Sequence, residues 1–267
     1  MRKVPFLSNH ERGWSTVILY FAGNLNQIQR NVRDEVGMKN FLISFYNTNN
    51  LDDYPEDINI FMDSGGFTFR IRGSSKNIQE YLKEYINFLK ENEKRITCYA
   101  NLDTKSVEES RVNQKKMEAE GLLPIPVYHF SEFNSIKYRE WIKDLCSSYK
   151  YVALGGTAGN KLNRKQLYSY FSYCFNIAEE HKTKIHGFGI TATHLMKSFP
   201  FYSVDSSSWL MGERRHVWYL FDRGTLKVIN IPKKIERGSG KYRKITLWNS
   251  VQWKKFADYM EEYKHGV

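Results

Sequence analysis

The chain has 267 residues with a hydrophobic fraction of 41%, enough for a sizeable core in one large domain or two small ones. Forty Lys+Arg against 29 Asp+Glu leave a net charge of +11, which favours a polyanionic partner. Nothing approaches the roughly 18 consecutive apolar residues of a membrane span, so no membrane partner is expected.

Cys98, Cys146 and Cys174 have no CxxC spacing, and no Cys/His cluster has the spacing of structural zinc. They read as buried or incidental thiols of a reducing compartment, and neither metal nor cofactor is expected. The opening "MRKVPFLSNHERGW" is basic, but its apolar stretch is too short for a signal peptide, so a cytoplasmic location is expected.

Eight short β-like runs then succeed one another. "TVILYFAG" (16–23) and "NFLISFYNT" (40–48) are separated by "NLNQIQRNVRDEVG", whose apolar periodicity is poor. "INIFMDSGG" (58–66) places Asp63 at its end, followed by Ser64 and Gly65, where the backbone is stripped of bulky side chains. In "NIQEYLKEYINFLKEN", Tyr81, Tyr85 and Leu89 recur every four residues, as a core-facing helical stripe does. "RITCYANLD" (95–103) closes on Asp103, and "LPIPVYHF" (123–130) carries His129 after the helical "EESRVNQKKMEAEG". "YVALGG" (151–156) ends in Gly155 and Gly156, and "NRKQLYSYFSYCFNIAEEH" reads as the helix that follows. "KIHGFGIT" (184–191) contributes His186, Phe188 and Gly189, and "FYSVDSSSW" (201–209) contributes Asp205.

Strands alternating with helices predict a parallel α/β sheet, and eight such units predict a (β/α)8 TIM-type barrel over residues 1–210. A doubly wound open sheet is the other arrangement, and it too builds its site at the strand C-termini. Residues 211–267 carry 13 basic against 6 acidic residues and supply +7 of the net charge. This basic, aromatic extension suits a phosphate backbone, with Arg214, Arg215, Lys233, Lys234, Arg243 and Lys244 as candidate nucleic-acid contacts. A solvated basic tail and capping helix is the plainer alternative.

Asp63 and Asp205 at one strand edge suit an acid/base and nucleophile pair, because breaking a glycosidic bond develops positive charge that a carboxylate stabilises or captures. A strand-end Asp also serves as an ordinary helix N-cap, and "VDSSSW" is open to that reading. The Gly155–Gly156 pair fits a phosphate loop or the close approach of a planar base. His129 and His186 fit a core histidine and a ligand contact equally well.

In this order, "DSGGF" (63–67), "ALGGTAG", "GFG" and "SVDSSSW" resemble the tRNA-guanine transglycosylase superfamily over roughly residues 15–215. The resemblance implies exchange of guanine in a nucleic acid for a 7-deazaguanine base such as preQ0. Asp205 is then similar to the nucleophile that attacks C1′, and Asp63 to the general acid/base on the departing and arriving base. Asp103 resembles the residue that reads the guanine edge, Gly155 and Gly156 the backbone at the exocyclic group, and Ser64 and Gly65 the floor beneath the base. Phe67 and Phe188 are candidates for stacking. The chain lacks the cysteine-rich zinc site of the tRNA enzymes, has Thr68 where they carry Gln, and has His129 where they carry a glutamine–glycine pattern. These departures look more like the DNA-modifying 7-deazaguanine transglycosylases, small members of which occur in bacteriophages, so the host cytoplasm is the implied setting. DNA is the expected substrate, tRNA the alternative, and a catalytically silent nucleic-acid-binding paralogue or an unrelated sugar-phosphate barrel enzyme the further readings.

Overall fold

The computed structural model describes residues 16–48, 51–71, 77–157, 162–190, 192–229 and 240–263. Each predicted run contains a strand: β1 (Ile18–Ala22), β2 (Asn40–Ser44), β3 (Asn59–Asp63), β4 (Cys98–Tyr99), β5 (Val127–His129), β6 (Tyr151–Gly155), β7 (Lys184–Gly187) and β8 (Ser203–Ser206). They form one parallel sheet in the order β4-β3-β2-β1-β8-β7-β6-β5. The sheet curls until its edges meet at one isolated parallel bridge, Ala100 to Ile125. There Asn101 N–H donates to Ile125 O at 2.9 Å, and Ile125 N–H to Tyr99 O at 2.8 Å.

The fold is therefore α/β and TIM-like, but no ladder closes the ring, which corrects the expectation of a complete barrel. At this seam Ile125 makes the backbone bonds to β4, the Leu123 amide goes to the Tyr99 hydroxyl instead of to backbone, and Pro126 faces the other way, its carbonyl accepting from Ala153 N–H of β6.

Alternate residues of each strand face opposite sides of the sheet. Tyr20, Ala22, Leu42, Phe61, Ala100, Ile125, Val127 and Ala153 form the inner cluster. Their neighbours, among them Leu19, Phe41, Ile60, Met62, Val152 and Val204, join the larger layer shared with the helices. Two residues beyond Phe61, Val127 and Ala153 stand Asp63, His129 and Gly155, so the inner series turns polar at its C-terminal end.

The flanking helices are α1 (Gln27–Val36), α2 (Gly66–Ile71), α3 (Ile78–Glu91), α4 (Val107–Ala119), α5 (Phe130–Phe133), α6 (Trp141–Ser148), α7 (Arg164–His181), α8 (Thr193–Ser198), α9 (Met211–Arg215) and α10 (Lys241–Glu262). Between β2 and β3 only a 3-10 turn, Phe45–Asn47, is found among the described residues. Despite its weak periodicity α1 is a regular helix, because its ends are specified. Asn26 and Gln29 form a reciprocal capping box, and Gly37 closes the helix at φ +72°.

An antiparallel hairpin of β9 (Trp218–Asp222) and β10 (Thr225–Ile229) leads into α10. Asn249 Oδ1 and Gln252 Oε1 of α10 accept from the Tyr219 and Phe221 amides at 3.0 Å each, which satisfies the hairpin's inner edge. Trp253, Phe256 and Met260 of the same helix are buried in the large core, and Val17 N–H donates to Met260 O. Among the described residues, no helix is long and apolar enough to cross a membrane.

Candidate active site

The turn after β3 is dictated by what surrounds it. Gly65 has φ +72°, and a Cβ there would stand 2.5 Å from Tyr46 Cβ and 2.9 Å from Tyr46 N. A Cβ on Gly66 would stand 2.7 Å from the carbonyl oxygen of Asp103. The two glycines thus let the chain's own segments meet, and they bring the loop of Asp103 against that of Asp63. From α3, Tyr81 donates its hydroxyl to Ser64 O at 2.7 Å, and Tyr85 to Ala100 O at 2.9 Å. The four-residue stripe therefore pins the strand ends as well as filling the core. On α4, the buried residues Ser110, Asn113 and Gln114 are polar because they satisfy loop backbone. Asn113 donates to Leu102 O, and Ser110 Oγ accepts from Thr104 N–H.

Asp63, Asp103 and Asp205 share one electrostatic neighbourhood. Burial raises the Asp63 carboxyl first, and the charges of Asp103 and Asp205 raise it further, to about 7. The Gly65 amide, 3.1 Å from Asp63 Oδ2, partly opposes this. Asp63 thus both bonds its own turn and carries a proton near neutrality.

Asp205 is 7% exposed and is held from a neighbouring strand. Its Oδ1 accepts from Gly189 N–H at 2.8 Å, where Gly189 adopts φ +66° to aim the amide. His186 Nε2 lies 3.5 Å from the same oxygen. Oδ2 has no hydrogen-bond partner among the described residues. The capping role in "DSSSW" falls instead to Ser206, whose Oγ accepts from Ser208 N–H, while Trp209 is fully buried and donates to Ala22 O. His186 is itself fully buried, with Phe61 and Phe188 at ring-centroid distances of 4.5 and 4.6 Å. Burial lowers its basicity more than Asp205 restores it, so it is neutral at neutral pH.

His129 has the opposite state. Its Nε2 lies 2.8 Å from Asp103 Oδ2 and its Nδ1 3.3 Å from Glu132 Oε1. Burial would lower its pKa, but these two carboxylates outweigh burial and raise it to about 10, leaving an imidazolium between two anions. Glu132 is buried and also accepts from His129 N–H at 2.8 Å. Gly155 and Gly156 belong to the same arrangement. A Cβ on Gly155 would meet His129 Cδ2 at 2.9 Å, and one on Gly156 would meet Phe130 N at 3.0 Å. Their missing side chains are explained by the His129 side chain and the Phe130 amide nitrogen.

The fold thus gathers Asp63, Asp103, Asp205, His129, Gly155, Gly156 and Phe188 at the C-terminal edge of the sheet. Ser64 is fully buried, and its Oγ, 3.4 Å from Gly66 N, serves the turn. Of the candidate nucleic-acid contacts, Arg214, Arg215 and Lys244 are exposed, and Arg243 pairs with Glu35 at 2.5 Å. Lys233 and Lys234 lie outside the described residues. Among the described residues, no group of three or more His, Cys, Asp or Glu could hold a metal ion. A cavity of about 640 Å³ opens at the opposite edge, between Asn40, Asn59, Thr97, Lys254 and Glu261, and contains none of the predicted site residues.

Reading the sequence missed Glu132 and Ser203 as members of the site. The one signal for either was Glu132 three residues after His129, the spacing of a helix-start pair. Compared with known proteins, the chain matches no family model and no curated protein.

Proposed function

We propose that this chain is a DNA-guanine transglycosylase that exchanges guanine in DNA for a 7-deazaguanine through a covalent Asp205 glycosyl-enzyme. The observation that carries the reading is the contrast between two neighbouring carboxyls: Asp63 held near pKa 7 by burial and by the charges of Asp103 and Asp205, and Asp205 oriented through one oxygen only. Carboxyls held in different environments at one edge are how acid and nucleophile roles are divided. The substrate class rests on the motif resemblance and on the +11 charge. The reading treats the curled sheet as a (β/α)8 barrel with its mouth at that edge.

In this mechanism the target nucleotide leaves the stack, at a cost of a few kcal/mol. Asp205 Oδ2 attacks C1′, the C1′–N9 bond breaks, and its electron pair leaves with guanine, which takes the proton of Asp63. An incoming 7-deazaguanine gives its N9 proton to the Asp63 carboxylate and attacks C1′, and the ester bond to Asp205 breaks. Asp103 keeps Oδ1 for the N1–H and N2–H donors of the base, while His129 engages Oδ2.

The test offers labelled guanine and labelled preQ0 to purified protein with duplex DNA and tRNA side by side. Label is expected in DNA, and Asp205→Ala is expected to abolish exchange and the covalent adduct while nucleic-acid binding persists. Label in tRNA alone transfers the reading to the tRNA reaction. Full activity of Asp205→Ala removes the mechanism.

A further inference from the structure

We infer that His186 is a positioning residue for Asp205, whose Nε2–H is aimed at Asp205 Oδ1 by a hydrogen-bonded relay from Tyr151 through Ser203. The functional part of this inference rests on the transglycosylase reading; the relay itself does not.

The direction of the relay follows from which atoms can donate. Asp205 Oδ1 accepts from Gly189 N–H, so a neutral His186 facing that oxygen at 3.5 Å carries its proton on Nε2. Nδ1 is then a lone pair, and the Ser203 hydroxyl 2.6 Å away donates to it. Ser203 Oγ is left as an acceptor for the Tyr151 hydroxyl at 2.5 Å, which burial keeps protonated. One tautomer satisfies every atom in the series except His186 Nε2. His186 Nε2 is the one end left over: it is fully buried and makes no full hydrogen bond in this state, with Asp205 Oδ1 as the group it faces. Strand register produces the alignment, since β7 and β8 pair His186 with Ser203, and Asp205 stands two residues on.

The chemical use is specific. Gly189 N–H and His186 Nε2 both address Oδ1, so Asp205 cannot swing, and Oδ2 is presented for attack. A cationic partner would hold Asp205 as an ion pair and dull the nucleophile. A neutral imidazole in an aromatic box of Tyr20, Phe61 and Phe188 orients it by a dipole alone. No proton moves in this role.

Two experiments decide it. Two-bond ¹H–¹⁵N spectra of histidine-labelled resting protein at pH 7 read the tautomer without any substrate. The neutral Nε2–H form is expected for His186 in both wild type and Ser203→Ala, with the Nδ1 resonance moving downfield in Ser203→Ala as its lone pair loses the hydroxyl donor. An imidazolium, an Nδ1–H form, or an Nδ1 resonance unmoved in Ser203→Ala overturns the relay. In the exchange assay His186→Phe is expected to lower kcat about ten- to hundredfold, the worth of a hydrogen bond to a charged group, with KM within about twofold. His186→Gln, whose amide can donate to Asp205 and accept from Ser203, is expected to recover most of that loss. Equal losses in both variants, or a change in KM alone, overturns the positioning role. If the wild type exchanges no base, the transglycosylase reading and the positioning role fall together, while the spectra still decide the relay.

Discussion

Replacing Asp63 by Asn tests the electrostatics of the site in the protein without ligand. Burial, Asp103 and Asp205 raise the folded-state pKa of Asp63 from 3.8 to about 7. The folded state therefore binds the extra proton, so stability is greatest below the unfolded pKa and is lost as pH rises through 7. Between pH 5 and pH 8 the folded chain holds nearly one proton more over about two pH units. At 1.36 kcal/mol per unit this is a loss of about 3 kcal/mol. The Asp63→Asn side chain has the same shape and no charge, so the variant should escape that loss. The assay is urea unfolding of wild type and Asp63→Asn at both pH values. The variant should gain about 3 kcal/mol relative to wild type on going from pH 5 to pH 8, a midpoint shift of roughly 1 M. Taking the difference between the two proteins cancels the titration of His129. A pH-independent difference would refute the reasoning, because Asp63 would then be ionised throughout and could not serve as the acid.

Gly65→Ala should destabilise the fold by about 2–4 kcal/mol, from the φ of +72° and the close approach of Tyr46, and lower Tm by roughly 5–10 °C; an unchanged Tm would refute that close approach. Glu132→Gln removes one of the two anions that hold His129 charged, so the His129 titration followed by NMR should fall from about 10 by roughly one to two units. Wild-type stability supplied by this histidine is full below pH 6.5 and lost as pH rises towards 10, and the variant should lose less over that window. Charge reversal at Arg214, Arg215 and Lys244 should weaken DNA binding for all sequences and flatten its salt dependence by about 0.7–0.9 for each phosphate no longer neutralised. Arg243, already paired with Glu35, should contribute less; affinity unchanged by all four would return this segment to a solvated basic surface.

The eight strands are legible because apolar runs of the right length alternate with helical periods, and every run contains its strand. The unclosed seam is not legible in a count of β/α units, because it depends on how β4 and β5 meet in space, where the ladder is reduced to the Ala100–Ile125 bridge. Helix α1 reads poorly because its stability comes from caps at Asn26 and Gly37 and from packing against α10, and neither appears as a stripe. Within the site, Asp63, Asp103 and Asp205 stand out because each lies at the end of an apolar run. Glu132 and Ser203 do not, since their part depends on distances across strands. The glycines of "DSGGF" and "LGG" are conspicuous, but their reason is internal: Tyr46, Asp103 and His129 occupy the space that side chains would need. His186 reads equally as core or contact because it is both, wholly buried and facing Asp205.

The seam between β4 and β5 has a mechanical consequence. Asp103 follows β4 and His129 ends β5, so their 2.8 Å ion pair crosses the same gap as the lone Ala100–Ile125 bridge. It acts as a rivet where the backbone supplies few others. A ligand that draws Asp103 towards itself loosens the rivet, so occupancy of the mouth and breathing of the seam form one equilibrium. Amide hydrogen exchange at Asn101 and Ile125 reads that equilibrium, and their protection relative to the intrinsic exchange rate should fall at high pH, where His129 loses its charge.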